Sequence, residues 1–175
     1  MSYTDTVTVL AERAERQLLA LLARLQDGAL DDDEFVNLAV AILAGTRSQA
    51  TALADAALAT ELTRLWGRYV APLGLVADDD PDDLAGYVRE AQESYQWRHA
   101  AEGAALGILA RSETYDAAQG AYGEAMRAQG VVTWTRETNG GACPVCEDLA
   151  NGVELSAETD MWTHKGCGCA QRPTN

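Results

Sequence analysis

The sequence predicts a mainly α-helical protein, with long helices over about residues 5–129, that ends in a small zinc-stabilised α+β unit. Three observations carry that expectation. Apolar residues recur at the three- and four-residue intervals of a buried helix stripe from Val9 as far as Gln129. After Gly130 the texture changes to the β-branched and aromatic run Val131-Val132-Thr133-Trp134-Thr135. All four cysteines then fall in the last part of the chain, beside one of its two histidines. Composition agrees: 47% of the 175 residues are hydrophobic, many of them alanine, and there is a single Phe, which suits helices packed through small side chains.

Taken in order, Thr4 or Asp5 is placed to cap a first helix whose apolar face is Val9, Leu10, Ala14, Leu18, Leu21, Leu22 and Leu25, with Asp27-Gly28 as its stop. Asp31-Asp32-Asp33-Glu34 then puts negative charge at the positive end of a second helix dipole. That helix carries Phe35, Leu38, Ala39, Ile42 and Leu43, is expected to break near Gly45, continues through Leu53, Leu58, Leu62, Leu65 and Trp66, and ends at Pro72. Together these make an N-terminal helical region, residues 1–72. Residues 73–83, with Gly, Pro and five aspartates, read as an exposed acidic linker closing in an Asp80 cap with Pro81 at the first helical position. A third helical region, residues 84–130, is interrupted by Gly103, Gly107, Gly120 and Gly123 and capped by Gly130, so it divides into two or three helices. Residues 131–175 form the zinc-binding, β-rich unit: a strand, the turn Asn139-Gly140-Gly141, and a short Val153-Glu154-Leu155 strand after the turn at Asn151-Gly152.

The formal net charge of -14 argues against a general nucleic-acid binder, because backbone phosphates are bound by Lys and Arg. No apolar run approaches the roughly 20 residues of a membrane span, and the first eight residues lack the basic start and apolar stretch of a signal peptide. The expectation is a protein made in a cytoplasm, where clustered cysteines beside a histidine read as metal ligands before disulfides.

Those residues are Cys143-Pro144-Val145-Cys146 and, after residues 147–163, His164-Lys165-Gly166-Cys167-Gly168-Cys169. Tetrahedral Zn2+ takes four such ligands from two close groups: Cys143, Cys146 and His164, with either Cys167 or Cys169. The competing readings are metal-free thiols, including a disulfide pair, or a catalytic zinc served by Glu147 or Asp148. A nucleobase-deaminase site is excluded, since it needs H-x-E where this chain has His99 and Glu102 as H-x-x-E, and Ala142 rather than Pro precedes the C-x2-C.

With these motifs in place, residues 109–173 resemble the phage head morphogenesis domain of Mu F-like minor head proteins. The likeness lies in Arg111-Ser112-Glu113-Thr114 on a helix, a strand with Trp134, the C-x2-C pair, the turn Leu149-Ala150-Asn151-Gly152, and the terminal H-x2-C-x-C. The usual His-Pro-x-Cys-Arg-Cys ending is here without its Pro and its Arg. The resemblance assigns the helix from about residue 109 to that domain and marks Arg111, Glu113, Trp134 and Gly152 as family-motif positions. It implies a non-enzymatic minor capsid component of the virion, bound to the portal protein or the major capsid protein at the portal vertex or inner capsid, with self-association a further option.

Two other functions compete with it: a metal-dependent nuclease or toxin-like effector packaged in the head, and a zinc module touching packaged DNA. Little room for a catalytic domain is expected after Cys169, and from residue 131 only Arg136, Lys165 and Arg172 face six acidic residues, so DNA contact is disfavoured. Smaller expectations are that Arg111 and Glu113 either link their helix to the zinc unit or stand as an exposed helical pair, that Trp134 and Trp162 flank the knot while Trp66 and Trp97 lie in the core or its seams, and that Gly103-x3-Gly107 permits close helix packing.

Overall fold

A computed structural model describes residues 2–94, 102–138 and 142–174. Trp97, His99 and the expected turn at Asn139-Gly140-Gly141 lie outside the described residues. The architecture is mainly α, with a small three-stranded sheet at the C-terminal end.

Helix α1 spans Tyr3–Gln26. Its cap is Ser2, earlier than expected: the Ser2 hydroxyl accepts from the Asp5 amide at 3.1 Å, and the Asp5 carboxylate accepts from the Ser2 amide at 2.9 Å. This capping box satisfies two of the amide donors that a helix start leaves free. The buried face runs through Val7, Ala11, Ala14, Leu18, Leu21 and Leu22, so Val7 takes the core position and Val9 is exposed. Helix α2, Asp32–Trp66, begins with a second capping box between Asp31 and Glu34. It passes through Gly45 unbroken, because that glycine sits on the exposed side of a helix whose other faces are buried by its neighbours; packing outweighs the roughly 1 kcal/mol a helical glycine costs. The helix stops at Gly67, whose φ of 63° is left-handed, five residues before the Pro72 expected to end it.

The segment between α2 and the next helix is tethered rather than free. Asp55, buried inside α2, accepts from the backbone amides of Leu73, Gly74 and Leu75 at 2.9, 2.7 and 3.2 Å. Arg47 donates to Asp79 at 2.5 Å and to the Asp78 carbonyl. Asp80 then accepts from the Asp82 amide at 2.8 Å and opens α3, Pro81–Ser94. Helix α4 runs from Glu102 to Ala128 without interruption at Gly107, Gly120 or Gly123, so among the described residues the third helical region holds α3 and α4. Gly107 lets α4 approach α1 closely: a Cβ there would lie 2.7 Å from the Glu15 carboxylate, which would have to move aside. After α4, Gly130 at φ 79° and the Val131 amide, bonded to the Met126 carbonyl, complete a left-handed C-cap.

Two large core clusters stack along this bundle. One joins Leu18, Phe35, Leu43, Leu84, Val88 and Leu106 from all four helices. The other joins Leu58, Leu62, Tyr122 and Met126 to Trp134, the largest fully buried side chain. Trp134 lies on β1, Thr133–Glu137, the central strand of an antiparallel sheet ordered β2-β1-β3, with β2 at Leu155–Ser156 and β3 at Ala170–Pro173. Its indole N–H donates to the Ser156 carbonyl of β2 at 2.9 Å, while its ring, packed with Leu58, Leu62, Tyr122 and Met126, seats the sheet on the end of the α2–α4 pair. No described helix is long and apolar enough to cross a membrane.

Candidate metal centre

Cys143-Pro144-Val145-Cys146 opens a short helix, α5, Pro144–Leu149. Pro144 at the first helical position sets φ for helix entry, so Cys143 becomes the capping residue and Cys146 stands one turn along, on the same side. The second ligand group is a tight turn: the Cys167 amide donates to the His164 carbonyl at 2.9 Å, and Gly166 holds φ 74° there. Gly152, at φ 75°, serves the turn after α5.

The five candidate ligands gather in two groups that meet at Cys146. His164 Nε2 lies 3.3 Å from Cys143 Sγ and 3.4 Å from Cys146 Sγ, and Cys146 Sγ lies 3.7 Å from Cys167 Sγ. Bond lengths of about 2.3 Å to sulfur and about 2.0 Å to nitrogen give tetrahedral edges of about 3.8 Å between sulfurs and about 3.5 Å between sulfur and nitrogen. These three separations, all within the Cys143–His164–Cys146–Cys167 path, match those edges. The donor atoms form two triads, Cys143–Cys146–His164 and Cys146–Cys167–Cys169, that share Cys146 and could hold a metal ion. Cys167 and Cys169 both remain beside the shared sulfur, so the choice between them stays open. All four cysteines are free thiols, and 3.7 Å is far beyond a disulfide bond of about 2.05 Å.

Local electrostatics distinguish the ligands. Backbone amides of Cys146 and Val145 at the start of α5 hold the Cys143 thiol below its ordinary range, though no hydrogen-bonded cap closes. Burial pushes the Cys146 thiol up, further from the thiolate that a metal requires; an ion would have to supply that deprotonation. For Cys167 burial acts upward, but the Cys169 amide and its neighbours outweigh it and the thiol is lowered. The His164 ring is raised, chiefly by Nδ1–H donating to the Lys165 carbonyl at 3.1 Å; that bond fixes the tautomer and turns the Nε2 lone pair toward the sulfurs.

Three polar residues that sequence reasoning passed over hold this cluster in place. Gln119 of α4 donates through Nε2 to the carbonyls of Cys167 and Cys169, at 2.7 and 2.8 Å. Ser112, also on α4, accepts from the Gly166 amide at 3.0 Å. Arg136 of β1 reaches Cys146 Sγ at 3.8 Å through Nη1 and donates through Nη2 to the Trp162 carbonyl. The signal available for Arg136 was strand alternation, which puts it on the buried face with Trp134.

Of the two readings of Arg111 and Glu113, a link to this unit or an exposed helical pair, neither holds: each pairs with another helix. Arg111 pairs with Glu15 of α1 at 2.6 Å and Glu113 with Arg47 of α2 at 2.5 Å, so both brace α4 within the bundle while Ser112 between them reaches the ligand turn. Helical geometry explains the difference: adjacent positions point about 100° apart and meet different neighbours. Trp162 is exposed, with its ring 6.0 Å from the His164 ring, whereas Trp134 is buried away from solvent in the bundle-end core. Trp66 packs at the edge of that core and lies under the Arg68 guanidinium. Glu147 and Asp148 are exposed and belong to neither donor triad.

Comparison of the chain with protein-family models, with curated proteins and with solved structures gives no match.

Proposed function

We propose that the sulfur and imidazole cluster is a structural zinc centre, and that the chain is a minor head protein of a tailed phage, non-enzymatic, built to bind portal or major capsid protein. The observation that carries the zinc reading is the meeting of the C-x2-C and H-x2-C-x-C groups at tetrahedral edge lengths around a buried Cys146. Thiolates with one imidazole are the soft, closed donor set of structural zinc sites. Bound there, zinc would hold the thiols ionised and cross-link α5 to the turn before β3. Cys143, Cys146 and His164, with Cys167 or Cys169, would be its ligands.

The head-protein assignment is supported by the ordered set of motifs from Arg111 to Cys169, whose ends come together on one face of α4. A strongly acidic surface favours a protein partner with basic patches over DNA. Two measurements test the pair of claims. The purified protein should carry about one zinc per chain and show no metal-dependent DNA hydrolysis; turnover would favour the nuclease reading, and DNA binding that weakens steeply with salt would favour the DNA module. A tagged chain recovered from infected bacteria should bring down portal or capsid protein; its absence from that fraction would remove the head-protein assignment while leaving the zinc centre untouched.

A further inference from the structure

Strand β1 turns Trp134 and Arg136 to the same buried side. Trp134 fills the bundle-end core; Arg136, only 7% exposed, is carried beside the sulfur cluster. A guanidinium keeps its positive charge in any environment, and burying one is tolerated only where a counter-charge meets it. Among the described residues Arg136 forms no ion pair with a carboxylate. Its partners are the neutral Trp162 carbonyl and the sulfur of Cys146, 3.8 Å away. A neutral thiol supplies no compensating charge.

Charge arithmetic over the possible ligand sets is discriminating. A divalent ion with two thiolates is neutral and leaves the guanidinium uncompensated. With four thiolates it carries two negative charges, one more than Arg136 cancels. Three thiolates and one neutral imidazole carry a single negative charge, and with Arg136 the sum is zero. We infer that Arg136 is the counter-ion and sulfur hydrogen-bond donor of a three-thiolate, one-imidazole divalent metal centre, positioning Cys146 and balancing its charge. The inference rests on the zinc reading above and specifies it: His164 is a ligand, and only one of Cys167 and Cys169 joins Cys143 and Cys146. An N–H directed at a ligating sulfur also withdraws electron density from it, so the centre should resist chelators and thiol reagents more than the same ligands without the arginine.

The test uses the full chain, loaded with zinc or cobalt, as wild type, Arg136→Met and Arg136→Lys. Zinc affinity is read by competition with a chromophoric chelator, and helix content by circular dichroism. Arg136→Met should bind zinc about 10- to 100-fold more weakly with its helices intact, and Arg136→Lys, which keeps the charge, should recover most of that loss. In the cobalt-loaded wild type, the sulfur-to-cobalt charge-transfer intensity should correspond to three thiolates. That reading needs no variant, so the three-thiolate ligand set is tested even if Arg136→Met does not fold, and Arg136→Lys then carries the test of the arginine. An affinity within twofold of wild type in folded Arg136→Met, or an intensity for four thiolates, overturns the inference and leaves the metal centre standing. A wild type that binds neither metal instead removes the zinc reading itself.

Discussion

In the helical body Leu18, Phe35, Leu43, Leu84 and Val88 are buried against one another by four helices, three of them more than 20 residues long. In the C-terminal unit the secondary structure after β1, among the described residues, amounts to a six-residue helix, a two-residue strand and a four-residue strand. Its own buried cluster is Cys146, Cys167 and Cys169. At roughly 25 cal/mol per Å2 of apolar surface, the body can hold itself by burial, whereas three sulfurs bury too little to order so many loop residues. On the metal reading proposed above, the comparison teaches that one chain uses two stabilising devices: area in the body, ligation in the appendage. Where they meet, the junction is a short set of specific bonds, namely Trp134 in the core and Gln119 and Ser112 on the ligand turn.

That contrast can be broken from either side. Cys146→Ser should do most, because Cys146 belongs to both donor triads: metal retention is lost, and with it a contribution on the order of 10 kcal/mol to the order of the C-terminal unit, while the helical circular dichroism stays. Cys167→Ser and Cys169→Ser measured alongside should differ from each other, the non-ligand retaining its zinc. Trp134→Ala attacks the junction and should lower global stability by about 3–5 kcal/mol in denaturant melts. Asp55→Ala acts inside the body by releasing three backbone amides of the α2–α3 segment; a loss of about 3 kcal/mol and faster proteolysis around residues 70–80 are expected. Arg111→Ala removes a largely solvent-facing pair with Glu15 and should cost below about 1 kcal/mol, less in high salt.

Much of the body was legible because its signals are local. The acidic start of α2, the Asp80-Pro81 entry to α3 and the Gly130 stop of α4 each follow from a backbone requirement met within a few residues. Gly45 misled because its cost is local but the packing that overrides it is not. Strand β3 was not anticipated: Ala170-Gln171-Arg172-Pro173 has neither alternation nor β-branching, and becomes a strand only through its register with Trp134–Glu137. At the candidate site the ligand residues stand out by type and spacing. Gln119, Ser112 and Arg136 do not, since each is an ordinary polar residue of a helix or strand until the fold brings a carbonyl, an amide or a sulfur to it. Asp55 was invisible for the same reason.

The central claim is that ligation, rather than burial, orders the C-terminal unit on an independently stable bundle. Hydrogen exchange of the full chain before and after zinc removal by a chelator tests it most directly. The account predicts that amides in residues 142–174 lose their protection as zinc leaves, while those of α1, α2 and α4 keep theirs. Unchanged protection across residues 142–174 in the metal-free protein would contradict it.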